Sequence, residues 1–408
     1  MRRNVLTLAL IFCLSLPAGA ATVSAQQPPP ARVMPPATTQ ITAPYLDQVK
    51  ALMARPEVAA AFDHVDKNRD ETLREWIAIT EINAPSGKER ERAAHIEKIL
   101  RGYKLDQVYY DAAGNLVGVR KGTGGGPTVV IDAHMDTVFQ EGLKIKATVR
   151  DGRVYAPGVG DDTRNVEAML ATIRALNHAG VRTKGDLIFL FTVEEETLLR
   201  GAEEFVKANK GKIDYYVALD GGYEGFTYGG IGINWYRHHL VGPGGHTRSR
   251  NPPYSAALPL ARAVARIYQL PIPSDPPTHL NVGMLGGAEV VNAKAADAWF
   301  TVDLRSTSAE VLSDLEKKIA AILKEEAERE GMTFRTEAIS STPPAQIPGH
   351  RESHMVKVAE AVHVAFGFTP SITPTGSNNS SAALLAGVPS ISTGAAPCGD
   401  SHALTEWC

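Results

Sequence analysis

Cysteine is almost missing from this chain, with three in 408 residues. Cys13 falls in an apolar stretch at the amino end, so the body of the chain keeps only Cys398 and Cys408. Two cysteines make no disulfide framework, and a single bridge or two free thiols stay equally open. A surplus of charge is missing too. Lys and Arg number 42 against 45 Asp and Glu, a formal net charge of −3. That balance offers no basic footprint for nucleic acid or for an anionic membrane surface. Past the amino end no apolar run reaches the roughly 18 residues of a membrane helix, so no stable membrane insertion is expected once that end is removed. No internal repeat is present. What the chain does have is 44% hydrophobic and 21% charged residues, enough apolar material for two cores, and a small or peptide-like partner is the expectation.

The amino end has secretory architecture: Arg2 and Arg3, an apolar core from Val5 to Leu16, then small residues through Val23, Ser24 and Ala25. A signal peptide over residues 1–25 is expected, with Ala20 as the alternative cut, and with it export to a periplasmic or extracellular space. Residues 26–43, QQPPPARVMPPATTQITA, read as an extended tether. In DKNRDE, Asp66, Asn68 and Asp70 have calcium-loop spacing. The glycine after the third ligand is absent and the twelfth position is Ile77, so the segment reads as a solvated helix connection. In NAPSGKE, Ser86 is placed to cap the next helix.

Next, NLVGVR, TVVIDA, DLIFLFTV and YYVALDGG alternate with the helical stretches RNVEAMLATIRALNHAG and GAEEFVKANKG. Short apolar runs interleaved with amphipathic helices predict an α/β fold, a mixed, mostly parallel sheet flanked by helices. Ligands in such sheets sit beyond the carboxyl ends of the strands. His134, Asp136, Glu195, Glu196 and Asp220 all fall at such ends. From 232 to 340 the pattern changes to INWYRHHLVG, a helix near Ser255 to Tyr268, NVGMLGG, AWFTVDLRS, and a long helix from about Ala309 to Glu330. Thr307 and Glu310 form a capping box for that helix, and Val311, Leu315, Ile319 and Leu323 share one stripe. This βαββαβ pattern predicts a smaller α+β domain inserted between residues 44–231 and 341–408 of the first.

Singly, each polar residue has a bland reading, a satisfied core histidine or a solvated acidic face. Together, Asp161, Glu195, Glu196 and Asp220 join His134, Asp136 and His402 at loops and strand ends of one framework. So many gathered carboxylates resist ionisation unless a cation is present. Oxygen and imidazole donors without thiolate favour two zinc ions, with cobalt or manganese as alternatives, and open positions would make the site catalytic.

The motifs AHMDTV, GVGDDTRN, FTVEEE, ALDGG, GPGGH, VVNAKAADAWFTVDLRS and HALTEW follow in order. Over roughly residues 73–407 they resemble the dizinc metallopeptidases that include peptidase T, carboxypeptidase G and the aminoacylases. The DDT and DGG elements are most similar to the peptidase T branch. The resemblance implies a phosphorylase/hydrolase-like catalytic domain, an inserted domain that dimerises, and a homodimer. It makes Asp161 the carboxylate bridging two zincs, with His134 and Asp220 on one and Glu196 and His402 on the other. Asp136 then orients His134, and Glu195 is the general base, with Glu194 the alternative within three consecutive glutamates. The resemblance also implies a cis Asp161–Asp162 bond, His246 reaching a partner subunit's site to stabilise an oxyanion, and Asn292 and Arg305 on the substrate's carboxylate.

Two features depart from the family. Thr163, Arg164 and Asn165 stand where lysine and glycine are common, and the sequence stops at Cys408, where relatives continue into a helix. Either the chain is cut short or it closes its sheet differently; a missing helix would loosen His402. In GSNNSSAALLAG, Ser377, Asn378 and Asn379 either meet substrate backbone or cap a helix, capping being favoured. The implied activity is that of an exported zinc exopeptidase, aminopeptidase- or tripeptidase-like, on short peptides. An N-acyl amino acid amidohydrolase is the alternative. A binding protein without catalysis has no physical need for Glu195.

Overall fold

The structure is a computed structural model that describes residues 43–287 and 290–408. The expected signal peptide and nearly all of the expected tether lie outside the described residues; Ala43, assigned to that tether, already opens the helix Ala43–Met53. The described chain forms two compact units, one of residues 43–228, 349–372 and 378–408, the other of 229–348 and 373–377. The second unit therefore begins and ends a few residues outside the 232–340 expected. Gly230 N donates to Ala345 O at 2.7 Å and Gly376 N donates to Gly229 O at 2.8 Å, which ties both ends of the longer segment and the short one together.

The first unit is built on an eight-stranded sheet. Its order is Gln107–Tyr110, Leu116–Arg120, Leu187–Thr192, Val129–His134, Tyr215–Leu219, Ser390–Thr393, Gly225–Thr227, Ser371–Thr373. The four central strands run parallel, and the pairs Gln107–Tyr110 with Leu116–Arg120 and Leu116–Arg120 with Leu187–Thr192 are antiparallel. Alternation along the strands explains why both faces carry helices. Leu116, Phe189 and Phe191 pack with Ile96, Leu100, Val166, Met169 and Ile173, whereas Val117, Val130, Leu190 and Tyr216 pack with Phe205, Val206 and Ala383. Each such apolar side chain, fully buried, contributes about 1.5–3 kcal/mol. The helices of the first face include Arg90–Gly102 and Thr163–His178; those of the second, Arg200–Ala208 and Ser380–Leu385.

The second unit is a four-stranded antiparallel sheet in the order Thr278–Gly287, Asp297–Ser306, Gly232–Val241, Thr333–Thr342. Ala298, Phe300, Val302 and Leu304, every second residue, face a core shared with the helices Ala257–Ile267 and Ala309–Arg329. Leu315, Ile319 and Leu323 are buried there and Val311 packs at its margin. The cap of the long helix is Ser308 and not Thr307: its Oγ accepts from Val311 N at 3.3 Å and donates to Glu310 at 2.8 Å. Among the described residues no helix is long and apolar enough to cross a membrane.

Candidate metal centre

Three adjacent parallel strands deliver the site. Val129–His134 ends on His134, Leu187–Thr192 leads into Glu195 and Glu196, and Tyr215–Leu219 stops one residue before Asp220. Asp161 and Asp162 precede the helix Thr163–His178, joined by a cis peptide bond. Two groups of donor atoms form here, each with its atoms within 4.8 Å of one another: His134, Asp161, Asp162 and Asp220, and Asp161, Glu196 and His402. Asp161 is the member common to both. Its Oδ1 lies 3.0 Å from His134 Nε2 and its Oδ2 lies 3.1 Å from His402 Nε2, so each oxygen faces a different imidazole. Asp162 is close, but its oxygens are committed: Oδ2 accepts from His134 N at 3.0 Å and Oδ1 from Asn165 Nδ2 at 2.5 Å.

Asp136 is fully buried and ties three segments together. Its Oδ1 accepts from Glu195 N at 3.0 Å, and its Oδ2 accepts from Glu196 N at 3.1 Å and Ser86 Oγ at 2.6 Å. Ser86 therefore does not cap the following helix, because the ionised Asp136 is the stronger acceptor for its hydroxyl. His134 Nδ1 is 3.1 Å from the Asp136 carbonyl oxygen and 3.4 Å from the carboxylate. The main-chain oxygen orients the ring at least as closely as the acid does. Among the three glutamates, Glu194, with φ +53°, forks with Arg200 at 2.8 Å, whereas Glu195 is buried beside the donors.

Crowded like charge shows in the proton affinities. Burial, then Asp161, pushes Asp220 up to about 6, and burial, with Asp161 and Asp136 adding to it, pushes Glu196 up to about 7. Glu195 rises well above the usual carboxylate range, through burial first and then Asp220 and Glu196. Burial would raise Asp161 as well, but hydrogen bonds from His134 and His402 hold it well below that range. His402, hydrogen-bonded to Asp161, is pushed up to about 9. Glu196 Oε1 is buried with no hydrogen bond of good geometry, and His402 Nε2 lies 3.2 Å from it. Two divalent cations fit this set: they would neutralise the clustered carboxylates and find imidazole and oxygen donors of the kind zinc takes. Asp161 and Asp220 also line a cavity of about 120 Å³ with Arg164, Gly221 and Ser401.

Several residues here carried no usable signal in the sequence. Arg164, visible there only as a departure, is buried, with Nη1 donating to Ala396 O at 3.0 Å and Nη2 to Gly221 O at 2.8 Å. It sets a cation near Asp162, Asp220 and Asp161. Asn379, the N-cap of the helix Ser380–Leu385, makes no side-chain cap: its Nδ2 donates to Asp132 at 2.6 Å and Thr192 at 2.8 Å, while Asn378 Oδ1 accepts from Ser380 N at 3.1 Å. The carboxyl end is pinned on both sides of His402, whose side chain is itself exposed. Cys398 and Cys408 form a disulfide, Val154 and Cys408 exchange main-chain hydrogen bonds, and Glu406 is fully buried. His246, Asn292 and Arg305 belong to the second unit. His246 and Asn292 are exposed and their segments are joined by the bond from Thr247 N to Asn292 O at 3.0 Å. Arg305 forks onto Asp303 of the same strand at 3.0–3.1 Å.

A mostly parallel α/β sheet whose strand ends gather histidines and carboxylates around one shared aspartate defines a metal-dependent hydrolase. The model of peptidase family M20/M25/M40 matches residues 130–408, and the chain belongs to that family, whose enzymes typically hold two zinc ions. It is 25% identical over 328 residues to the succinyl-diaminopimelate desuccinylase of Herminiimonas arsenicoxydans, covering 75% of this chain and 84% of that protein. It is 31% identical over 137 residues to carboxypeptidase G2 of Pseudomonas sp. (strain RS-16), a match spanning 32% of this chain and 33% of that one. Among solved structures, a tripeptidase from Staphylococcus aureus subsp. aureus Mu50 superposes with a TM-score of 0.73 at 22% identity, covering 82% of this chain and 92% of that one. The aminopeptidase PepT of Bacillus cereus ATCC 10987 gives 0.71 at 22% identity, covering 83% and 93%.

Proposed function

We propose that this hydrolase is an exported, two-metal exopeptidase acting on short peptides. The observation that carries the reading is Asp161, whose two oxygens each face a different imidazole, with Glu196 completing one side and Asp220 the other. When bound there, two divalent cations supply Lewis acidity toward a carbonyl and a lowered pKa for water. Glu195 is the general base: burial raises its proton affinity, so it takes a proton from the attacking water and returns it to the leaving amine. Asp136 holds Glu195 and Glu196 in register through their amides. His246, Asn292 and Arg305 are proposed contacts to the oxyanion and the substrate carboxylate, with the second unit as the homodimer contact. The amino-terminal pattern supports export, and the Cys398–Cys408 pairing suits an oxidising compartment.

A second reading, hydrolysis of N-acyl amino acids, is favoured by the likeness to the desuccinylase. One panel separates them. The purified chain, sized by sedimentation, stripped by chelator and restored with zinc, is offered di- and tripeptides and N-acyl amino acids beside Glu195→Gln. Release of one residue per turnover from free-amine peptides, dependent on metal and reduced by about 10²–10⁴ in the variant, is expected. Turnover confined to acylated substrates selects the second reading, and full activity in Glu195→Gln rejects the assigned base. Protein recovered inside the cell with its amino end intact rejects export.

A further inference from the structure

Resting on the metal reading above, we propose that Glu406 is a positioning residue of the centre, a buried carboxylate that fixes Asp161 by holding the main chain of the turn it sits on. Glu406 Oε2 accepts from Gly158 N at 2.8 Å, and Oε1 accepts from Gly160 N and Asp161 N at 2.8 Å each. Three amides of one turn thus converge on a carboxylate distant in sequence. The turn is built around it. Gly158 has φ +72° and a Cβ there would come within 2.6 Å of Thr137; a Cβ on Gly160 would lie 3.0 Å from Glu406 Oε1 and 2.9 Å from Cys398 Cβ.

Glu406 is itself anchored. Gly399 and Trp407 exchange main-chain hydrogen bonds, Cys408 does the same with Val154, and Cys398 and Cys408 close the ring. His402 lies inside that ring, so one loop supplies a donor and the clamp on the donor it faces. The 3.1 Å separation of His402 Nε2 from Asp161 Oδ2 is set from within this loop. Any slip of the Gly158–Asp161 main chain moves both Asp161 oxygens against both imidazoles. A carboxylate can accept all three amides; a carboxamide cannot, because its NH₂ would confront at least one of them.

The test uses cobalt(II) as the metal on the full mature chain, wild type beside Glu406→Gln. Metal affinity is measured by titration, the centre by visible cobalt absorption, and turnover as kcat and KM. Binding of at least one of the two cobalt ions is expected to weaken by about 10- to 100-fold, the size usual for groups that orient metal ligands, with altered absorption and a loss carried by kcat. Should Glu406→Gln fail to fold, Glu406→Asp carries the test, and an intermediate weakening is expected. Cobalt affinity and absorption equal to wild type in the folded variant, with only a lower unfolding temperature, overturn the proposal and leave Glu406 a structural residue. A wild-type chain that binds no cobalt overturns the metal reading and this inference with it.

Discussion

Arg92 gives the sharpest stability prediction. It is fully buried on the helix Arg90–Gly102, and its fork joins two segments of the site. Nη1 donates to Met135 O at 2.6 Å, while Nη2 and Nε donate to Ile82 O at 2.6 and 3.1 Å. Met135 lies between His134 and Asp136, so the arginine braces the loop that carries both. Burial lowers Arg92 to about 10, opposed by Asp136 and Glu89, so it is charged at neutral pH. Arg92→Met keeps much of the stem and removes every donor. The carbonyls of Met135 and Ile82 then lose partners at about 1–3 kcal/mol each, and that of Thr80 loses a longer contact of 3.5 Å. Relief from no longer burying a cation offsets part of this, leaving a loss of about 3 kcal/mol. The assay is urea unfolding by tryptophan fluorescence in a Trp235→Phe, Trp299→Phe background, where Trp76 and Trp407 report the first unit. A midpoint lower by about 1 M or more with unchanged slope is expected. A loss below about 1 kcal/mol would show that the two carbonyls find other donors and refute the bracing.

In the second unit, burial and then His239 push His238 down to about 4, and its Nδ1 is 2.9 Å from Thr336 Oγ1. The unfolded chain binds this proton near pH 6.5 and the folded chain does not, so stability is full above that pH and declines as pH falls toward 4, by about 3 kcal/mol in all. Unfolding free energies from pH 7.5 to 4.5 should fall less steeply in His238→Gln; equal slopes would reject the assignment. Replacing Cys398 and Cys408 together by serine opens a loop of sequence separation 10 and should lower stability by about 3 kcal/mol on the chain-entropy account. Activity should fall with it, because His402 lies in that loop; unchanged stability and turnover would contradict the pinning role.

The sequence was most legible where periodicity meets a repeated chemical type. Alternating apolar residues in WFTVDL, and the apolar stripe through Leu315, Ile319 and Leu323, foretold which faces are buried. Polar residues at the ends of such strands foretold where the donors gather. What stayed hidden depends on contacts with no local signature. Glu406 meets Gly158 across 248 residues, and Asn379 meets Asp132 across 247. Local rules also failed where two partners compete for one group. Ser86 has the spacing of a cap, yet Asp136 captures its hydroxyl, and the cap of the long helix belongs to Ser308 because its Oγ, not that of Thr307, reaches the Val311 amide.

The deeper ambiguity is that a carboxylate near a dication and a carboxylate bonded to amides look alike in a sequence. Both are acidic residues in polar turns at strand ends, and this site holds both kinds. Asp161, Glu196 and Asp220 offer oxygens to the donor groups, whereas Asp136, Asp162 and Glu406 accept main-chain amides of Glu195, Glu196, His134, Gly158, Gly160 and Asp161. The second set holds in place the segments that carry the first. Charge alone would favour fewer acids in so buried a place, since each added carboxylate raises the cost of ionising the rest. Amide donors lower that cost for the second set, and divalent cations would lower it for the first, so the arrangement is self-consistent only when both kinds of partner are present. Removing the metals should therefore disturb the protonation of Asp220 and Glu196, which burial pushes up to about 6 and 7, more than the loops that carry them, because their main chain is tied to Asp136 and to the sheet through bonds that contain no metal.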